Sequence, residues 1–417
     1  MSYANLSRGQ LGGLMPELMV NGNIIDQPNQ VNVITEFGID AFRKVAIEEW
    51  MGASPVYTKR IRAALKVTGI TVADIFKGLQ FDIGAPPQWA DFQFFVDSDT
   101  YGEFRQMHCG PLLEVEPMGV EFVVAMCHDI QDPTFDATAA ATNPRARFRP
   151  ITRPPRESPD QVPHCHWKLF VDEAHEPLTL PEEATGIFAL EVADVELSPI
   201  VAGGEGYDDY THPLVNNIDF GAFSHSALIR INEEMALQYH LLSLSYEQSV
   251  RRMSGPEKAA ELMYAAFIGI AAAGSARLRA YLDLGDDAAD LAAVLNLNPA
   301  LCPHQYTGVR AEAVDGAEQV RVTIDLDAPA RRDPSWLSTL SADAIEPIRS
   351  AAMGVDPHWC DATARVVDDT LVVDVRRAAE PAPEHEMTQL TRASSGHTFV
   401  LEERPVTIVS RATPATP

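Results

Sequence analysis

The stretch Arg60-Ile-Arg-Ala-Ala-Leu65 recurs in the second half of the chain as Arg277-Leu-Arg-Ala-Tyr-Leu282. Trp50-Met-Gly52 matches Phe267-Ile-Gly269 at the same offset of 217 residues, and no gap separates the two matches. Self-similarity at a fixed offset is the sequence signature of an internal duplication. We therefore predict two tandem, degenerate copies of one folding unit.

Each copy is predicted to open with helices and to continue into a sheet. After a deletion of one residue, Ala73-Asp-Ile75 matches Ala289-Asp-Leu291 on a further helix. Apolar and polar residues then alternate over residues 92–97 in the first copy and 320–325 in the second, as a half-buried strand requires. The pattern predicts an α+β fold in which a helical layer packs on one face of a mainly antiparallel sheet.

Further strands are expected towards the end of each copy. The predicted hairpins pair residues 145–150 with 165–171 and residues 362–367 with 370–375, and closing strands are predicted over residues 187–197 and 397–408. The basic run Arg145-Ala-Arg-Phe-Arg149 alternates with apolar residues, which is typical of the solvent face of an edge strand. Capture of an anionic substrate is the alternative interpretation of this run.

The duplication and the composition of the joints suggest a division of the chain. The predicted parts are an N-terminal arm over residues 1–33, a first copy over 34–200, a linker over 201–224, a second copy over 225–409 and a disordered tail over 410–417. The linker is rich in Gly and Asp, as loops are. Because related helical layers can bury similar apolar stripes against each other, we expect a pseudo-dimer within one chain.

Composition restricts the partners and the compartment. The 417 residues include 59 acidic and 32 basic side chains, which give a formal net charge of −27. Such a charge repels phosphate backbones and anionic membranes, so we expect no nucleic-acid or membrane partner. Residues 1–20 lack a basic leader followed by an apolar run, and the apolar segment 259–276 is interrupted by Glu261. We expect a cytoplasmic protein with reduced thiols.

Each of the five cysteines has a histidine within two positions. The groups are His108-Cys109, Cys127-His128, His164-Cys165-His166, Cys302-Pro-His304 and His358-Trp-Cys360. Cysteine and histidine are common transition-metal ligands, but the long intervals between these groups match no zinc finger. Any metal site must therefore be assembled by the fold.

The first predicted ligand, Cys109, falls in Cys109-Gly-Pro111, where a strand gives way to a helix. Proline favours the first helical turn, so Cys109 is expected near the helix cap. The positive end of the helix is expected to make this thiol ionise more readily. The sequence Cys127-His128-Asp129 is predicted to close the helical stretch that follows.

The third predicted ligand, Cys165, lies on a strand. Alternation places Cys165 and Trp167 on one face of that strand and His164 and His166 on the other. If the Cys165 face points inward, its thiolate can join Cys109 and Cys127 around one ion.

The order of these features resembles the L-2-amino-thiazoline-4-carboxylic acid hydrolase family and the related 4-vinyl reductase-like ligand-binding domains. The shared order, over about residues 71–172, is a strand, a cysteine, a helix, a second cysteine, an Asn-Pro-Arg corner and Cys-His-Trp on a hairpin. In those relatives the cysteines bracket a ligand pocket, and some members bind zinc through them. The resemblance implies this role for Cys109, Cys127 and Cys165.

Other parts of the chain depart from this pattern. Gly110 separates Cys109 from its proline, and residues 153–160 look like an inserted loop. In the second copy, Asp333-Pro334 stands roughly where Cys109 would, so that copy is predicted to have lost the cluster. Cys302 and Cys360 have no matching positions in the first copy, and we interpret them as core thiols or as lining the seam between copies.

Two pairs, each formed by a histidine and an acidic residue, have alternative interpretations. Glu233 and His240 lie seven residues apart on one face of a predicted helix. They could hold a metal or act as a base, but a solvated helix face is the favoured interpretation. For His128 and Asp129, a proton-transfer role and a histidine that balances a helix dipole are both open.

Three functions are consistent with these patterns. The first is a metal-dependent hydrolase or lyase acting on a small organic molecule, with zinc as the expected ion and iron as the alternative. The expected metal ligands are Cys109, Cys127 and Cys165, and the expected catalytic residues are His108, His128 and Asp129. The second is a small-molecule binding or sensory protein with a structural metal, and the third is thiol catalysis at Cys109 without metal. The sequence is also compatible with a homo-oligomer.

Overall fold

The fold is known from a computed structural model that describes residues 1–87, 89–314, 318–394 and 406–409. Within these residues the helices are, in chain order, α1 (Arg8–Phe37), α2 (Ile39–Ala64), α3 (Val72–Leu79), α4 (Gly110–Val115), α5 (Val120–Val124), α6 (Gln131–Ala140), α7 (Glu182–Phe188), α8 (His225–Ser254), α9 (Pro256–Tyr281), α10 (Ala288–Leu297), α11 (His304–Thr307), α12 (Pro329–Arg332), α13 (Glu346–Met353) and α14 (Glu386–Ser394). The strands are β1 (Ala90–Val96), β2 (Tyr101–Cys109), β3 (Ala146–Thr152), β4 (Cys165–Val171), β5 (Val215–Asn216), β6 (Val309–Ala313), β7 (Gln319–Asp325), β8 (Asp361–Val367), β9 (Thr370–Arg376) and β10 (Thr407–Ile408).

Two pairs of long helices have the same lengths and the same joints. Helices α1 and α8 each have 30 residues, and α2 and α9 each have 26. Ser7 and Ser224 begin α1 and α8 by accepting a hydrogen bond from a backbone amide of the first turn, which that turn would otherwise leave free. Gly38 and Gly255 join the helices of each pair with φ of 83° and 91°, a region that glycine adopts without strain.

The long helices of the two halves interleave. Helix α2 packs against α8, and α1 packs against both α8 and α9. Arg60 on α2 forms an ion pair with Glu234 on α8, with Nε and Oε2 2.9 Å apart. Arg277 on α9 pairs with Glu17 on α1. Both ion pairs cross between the halves, and the four residues occupy matching positions at the offset of 217.

Each half contains a four-stranded antiparallel sheet. The strand order is β1-β2-β4-β3 in the first sheet and β6-β7-β9-β8 in the second. Helices α3 and α6 pack on the first sheet, and α10 and α13 pack on the second. The predicted α+β class is confirmed, and both predicted hairpins are present as β3 with β4 and β8 with β9.

The predicted edge strand is also confirmed, because β3 lies at the edge of the first sheet. Ala146 and Phe148 are buried on its inner face. Arg149 points outward and pairs with Asp136 at 2.8 Å. Arg145 donates hydrogen bonds to the backbone carbonyls of residues 173 and 175.

The predicted strand over residues 187–197 is wrong. This segment comprises the end of α7 and a short 3-10 turn, Glu191–Ala193. Its apolar residues Ile187 and Val192 are buried in the core shared with the long helices, so their pattern reflects helix packing rather than a sheet. Of the other predicted closing strand, residues 397–405 lie outside the described residues, and Thr407–Ile408 pairs with β5.

Strands are confirmed at both segments of alternating residues, because residues 92–96 fall in β1 and residues 320–325 fall in β7. The two strands do not hold the same place, since β1 is the first strand of its sheet and β7 holds the second position. The first position in the second sheet belongs to β6, whose short, mostly exposed sequence Val309–Ala313 has a weak alternating pattern.

Residues 1–33, predicted to be an arm, lie mostly in α1. Leu14 and Leu18 on this helix are fully buried. Pro16 and Pro28 lie inside it, and internal proline normally argues against a helix, which explains why the sequence pattern did not indicate one. The remaining domain limits stay predictions, and the predicted tail, residues 410–417, lies outside the described residues.

Helix α9 is long and apolar enough to cross a membrane by length and composition, with a mean hydropathy of 1.4. However, 72% of its most apolar window is buried inside the protein. That environment is typical of a core helix in a soluble protein. The predicted cytoplasmic location stays a prediction.

The favoured interpretation of Glu233 and His240 as a solvated helix face is wrong, because their exposed fractions are only 6% and 0%. Helix α8 is enclosed by α1 and α2, so few of its faces reach solvent. Glu233 accepts hydrogen bonds from Ser198 at 2.8 Å. His240 Nε2 lies 2.9 Å from the carbonyl of Cys302.

Replacing Arg60 with alanine should destabilise the protein by on the order of 2–3 kcal/mol, because Glu234 would lose a buried bidentate partner. Arg230 would still pair with Glu234 at 2.9 Å, which limits the cost. Arg332 makes a similar bidentate pair with Glu191, but both side chains are more than 40% exposed, so Arg332→Ala should destabilise the protein much less than Arg60→Ala does. Urea unfolding measures the free energy of unfolding of both variants. Equal losses would contradict the conclusion that the ion pair between the halves stabilises the protein.

Candidate functional site

A cavity of about 130 Å³ lies in the first half, between α1, α2, the first sheet and α6. Most of its wall is apolar. The lining residues are Asn23, Asp26 and Gln30 of α1, Trp50 of α2, Leu79 of α3, Asp82, Gly84 and Ala85 of the following loop, Phe92 of β1, Gln106 and Cys109 of β2, Pro111 of α4, and Met126, Ile130, Gln131, Thr134, Phe135 and Thr138 from residues 126–138.

A π-helical segment forms part of this wall. It covers Ala125–Ile130, between α5 and α6. Such wide turns in a helix are frequent at functional sites. Met126 and Ile130 line the cavity, whereas Cys127 is buried beside them with Leu112 and Val123.

Asp26 on α1 is the least satisfied polar group of the wall. Its Oδ1 atom is buried and has no hydrogen-bond partner among the described residues. Burial raises the pKa of the Asp26 carboxyl from 3.8 to about 7, and an interaction with the Trp50 indole opposes this shift only in part. Asp26 therefore changes protonation state close to neutral pH.

Asp82 follows α3 and is better satisfied. Tyr57 donates to its carboxylate at 2.9 and 3.0 Å, and the amide of Gly84 donates at 2.8 Å. Burial nevertheless raises the pKa of Asp82 from 3.8 to about 6, because these hydrogen bonds only partly offset desolvation.

Two further carboxyls lie close to Asp26. Glu49 on α2 is fully buried, and neither carboxylate oxygen has a hydrogen-bond partner among the described residues. Burial, followed by repulsion from Asp26, raises the pKa of Glu49 well above its usual value. Glu114 on α4 accepts a hydrogen bond from Gln27 at 2.8 Å, and burial, with repulsion from Asp26, raises its pKa to about 7.

Within the described residues, none of these four carboxyls forms an ion pair, although many other acidic residues of the chain pair with arginine or lysine. The lining residues include no Lys, Arg or His. Arg156, which acts on the Cys109 thiol electrostatically, is itself bound by Glu116 at 2.5 and 2.7 Å. The cavity is therefore acidic and has no internal counter-charge in the described part of the chain.

Cys109 occupies the predicted position, at the end of β2 and directly before α4. The prediction that its thiol ionises readily is wrong. Burial raises the pKa of Cys109 to about 12, and the amide of Leu112 at the helix start only partly offsets this. A helix of six residues offers too weak a dipole to outweigh desolvation.

The predicted zinc site, and iron in its place, is contradicted. Across the described residues, no group of three or more His, Cys, Asp or Glu side chains could hold a metal ion. Cys109 raises the pKa of Cys127 and of Cys165, and Cys127 raises that of Cys165, but burial is the largest cause of all three raised values. The thiols therefore stay protonated, and Cys165 donates to Gln106 Oε1 at 3.2 Å.

The three residues predicted to be catalytic lie outside the cavity wall. His108 is exposed on β2, with its ring 5.7 Å from that of His164. His128 Nε2 lies 2.6 Å from the carbonyl of Pro154. Asp129 is partly exposed and pairs with Arg43 at 3.3 Å. Since the helical path continues into α6, Cys127-His128-Asp129 does not close a helix as predicted.

The predicted faces of β4 are confirmed in part. Cys165 and Trp167 are buried, and His166 lies on the opposite face, where its Nε2 is 2.7 Å from Glu103. His164 departs from the prediction, because it is 6% exposed and its Nδ1 accepts a hydrogen bond from the amide of Cys109 at 3.0 Å. It precedes the strand, so strand alternation does not govern its direction.

The acidic residues of the cavity were missed by the sequence analysis. The sequence nevertheless contained a signal that could have identified them. At the offset of 217, Asp26 corresponds to Ser243 and Glu49 corresponds to Ala266. After the one-residue deletion, Asp82 stands opposite Asn298. Three carboxyls of the first half thus have uncharged counterparts, a difference that the cysteine pattern concealed.

The chain was compared with protein-family models, with curated proteins and with solved structures, and none of them matches it. The resemblance to the L-2-amino-thiazoline-4-carboxylic acid hydrolase family therefore stays a prediction. The geometry defines a small cavity whose wall is mostly apolar and, within the described residues, carries acidic but no basic side chains.

Thiol reactivity should follow burial. Cys360 is the only partly exposed cysteine, whereas Cys109, Cys127, Cys165 and Cys302 are buried. A thiol-reactive disulfide reagent should label one thiol rapidly in the native protein and the other four only on unfolding. Cys360→Ser should remove the rapid phase. A rapid phase that survives in Cys360→Ser and disappears in Cys109→Ser would contradict the protonated, enclosed state of Cys109.

Asp26→Asn should stabilise the protein at pH 8 by on the order of 1–3 kcal/mol, because an ionised carboxyl with one unpartnered oxygen becomes a neutral amide of the same shape. The folded-state pKa of Asp26 is raised from 3.8 to about 7, so the free energy of unfolding of the wild type falls as the pH rises through that window. The difference between variant and wild type should be smallest below about pH 3, where Asp26 is protonated in both the folded and the unfolded state. Thermal unfolding against pH measures this.

Asp40→Asn is the matched control, since the Asp40 side chain is 92% exposed. Its effect on stability should be small at both pH values. An Asp26→Asn protein that is less stable than the wild type at pH 8 would refute the assignment of Asp26 as an unpaired buried acid.

Proposed function

We propose that the protein binds a small organic molecule in the cavity of its first half. The observation that supports this most strongly is a cavity of about 130 Å³ whose wall is mostly apolar but carries Asp26 with an unpartnered oxygen. Ligand sites commonly combine an apolar wall with a few polar groups that fix orientation. A cavity near 150 Å³ can hold a benzene ring, so the expected ligand is about the size of one six-membered ring.

An acid–base enzyme is the second candidate. It is favoured by the pKa values of Asp26 and Asp82, which burial raises to about 7 and about 6. A general acid or base works best when its pKa lies near the working pH. Thiol catalysis at Cys109 is less favoured, because a pKa of about 12 leaves little thiolate.

We further propose that the two halves are degenerate copies related by a pseudo-twofold arrangement. Reciprocal contacts support this. Arg8 donates to the carbonyl of Phe223 at 2.9 Å, and His225 Nε2 lies 2.8 Å from the carbonyl of Leu6. Positions 8 and 225, and positions 6 and 223, differ by the same offset of 217. Exchange of equivalent contacts is the mark of a twofold interface.

The second copy would then lack a cavity at the equivalent position. Phe267, at the position of Trp50, stacks on Trp336 with ring centroids 5.2 Å apart. His240, at the position of Asn23, packs on the same Trp336 ring at 5.2 Å. In this proposal Trp336 fills the space that stays open in the first copy, so this site belongs to the first copy alone.

Filling the cavity should abolish binding. Thr134 lies on α6 in the cavity wall. Thr134→Phe adds a ring to the cavity. Thr134→Val keeps nearly the same volume and controls for loss of the hydroxyl, which donates to the carbonyl of Ile130 at 2.8 Å. Binding of benzyl alcohol, benzylamine and benzoate can be followed by calorimetry and ligand-detected NMR.

At least one of these probes should bind the wild type and Thr134→Val, and Thr134→Phe should bind it at least about tenfold more weakly. Thr134→Phe should remain folded by circular dichroism. If none of the three probes binds, or if Thr134→Phe binds them as the wild type does, the cavity is not the site.

A further inference from the structure

We propose that the occupant of this cavity is an organic ammonium ion, a small amine with an apolar body, whose charged nitrogen is bound by Asp26. This inference rests on the proposed function and specifies the class of ligand. It combines the unpartnered Oδ1 of Asp26, the surrounding carboxyls and the aromatic part of the wall.

The charge around Asp26 has one sign. Repulsion from Asp26 raises the pKa of Glu49 on α2 and of Glu114 on α4. Tyr57 of α2 also faces Asp26 and binds Asp82 on the adjoining loop. No Lys, Arg or His belongs to the wall as described. A cation entering the cavity would therefore find acceptors that lack a protein counter-ion.

The hydrogen-bonding needs are also complementary. An ammonium group carries three donors and no acceptor. Asp26 Oδ1 lacks a donor within the described residues. Gln106 on β2 also lines the cavity, and its Oε1 atom already accepts from Cys165. An alcohol would supply one donor, and a carboxylate would supply none while adding repulsion.

The remaining wall suits the body of such a ligand. Trp50, Phe92 and Phe135 line the cavity, and aromatic faces attract organic cations in addition to packing against apolar groups. A bare divalent metal ion would not suit this wall, because Mg²⁺ and Ca²⁺ require about six or more oxygen ligands. The size of the space and its apolar lining thus favour an amine over an inorganic cation.

Binding should be coupled to proton release. A bound ammonium favours the ionised carboxylate, so it lowers the pKa of Asp26 from its raised value. Glu114 and Asp82 also have raised pKa values, of about 7 and about 6, and face the same region. Amine affinity should therefore rise between about pH 6 and pH 8, while an alkyl amine stays protonated.

Calorimetry at pH 8 and 150 mM NaCl tests the proposal with benzylamine, benzyl alcohol and benzoate. Benzylamine should bind at least about tenfold more tightly than benzyl alcohol, and benzoate should not bind detectably. Asp26→Asn should weaken benzylamine binding about tenfold or more and change benzyl alcohol binding by less than about twofold. Asp40→Asn, which removes an exposed charge on α2, should change neither, which controls for the long-range field.

A second measurement does not depend on any variant. Titrations near pH 6.5 in two buffers of different ionisation enthalpy should show proton release when benzylamine binds to the wild type, and none when benzyl alcohol binds. Benzyl alcohol binding as tightly as benzylamine, or benzylamine binding without proton release, would overturn the ammonium assignment and leave the cavity as a binding site. Failure of all three probes would overturn the proposed function itself.

Discussion

The structure depends on the burial of α1 between the long helices of both halves. Helix α1 contains Pro16 and Pro28 and several buried polar residues, so intrinsic propensity alone cannot account for a 30-residue helix there. Its stability comes from packing on α8 and α9 and from the ion pair between Glu17 and Arg277. This packing fixes the helix that carries Asp26 and one wall of the cavity.

The unpaired carboxyls of the site lower the stability of the fold. None of the four carboxyls has a basic partner among the described residues, and desolvation is the largest cause of the raised pKa of each one. Acidic side chains without a functional role in a protein interior normally form ion pairs or are replaced by apolar residues, because an unpartnered buried charge is destabilising. Side chains that lower the stability of a protein are typically retained at sites where function requires them. A cationic ligand would relieve it by supplying the missing charge.

Local patterns predicted the fold class and both hairpins, because residues 145–150 alternate with burial on one face of β3 and the apolar run over residues 370–375 reflects a strand that is buried on both faces. It failed for α1, where proline and polar residues hide a helix that only tertiary contacts stabilise. The site was predicted least well. Cys109 was placed correctly before a helix, but its ionisation depends on solvent exclusion, and a sequence does not show which thiols are buried. The convergence of Asp26, Glu49 and Asp82 depends on how α1, α2 and the loop after α3 meet.

The central claim is that the environment of the cavity in the first half favours the protonated form of Asp26 and of the neighbouring carboxyls. Infrared titration of the folded protein between about pH 5 and pH 9 measures carboxyl protonation directly, through the carbonyl stretch that only the neutral acid shows. A protonated carboxyl band should persist above pH 6, weaken by about pH 8, lose intensity in Asp26→Asn but not in Asp40→Asn, and weaken at constant pH when benzylamine is added. A wild-type protein with no protonated carboxyl band above about pH 5 would contradict the account.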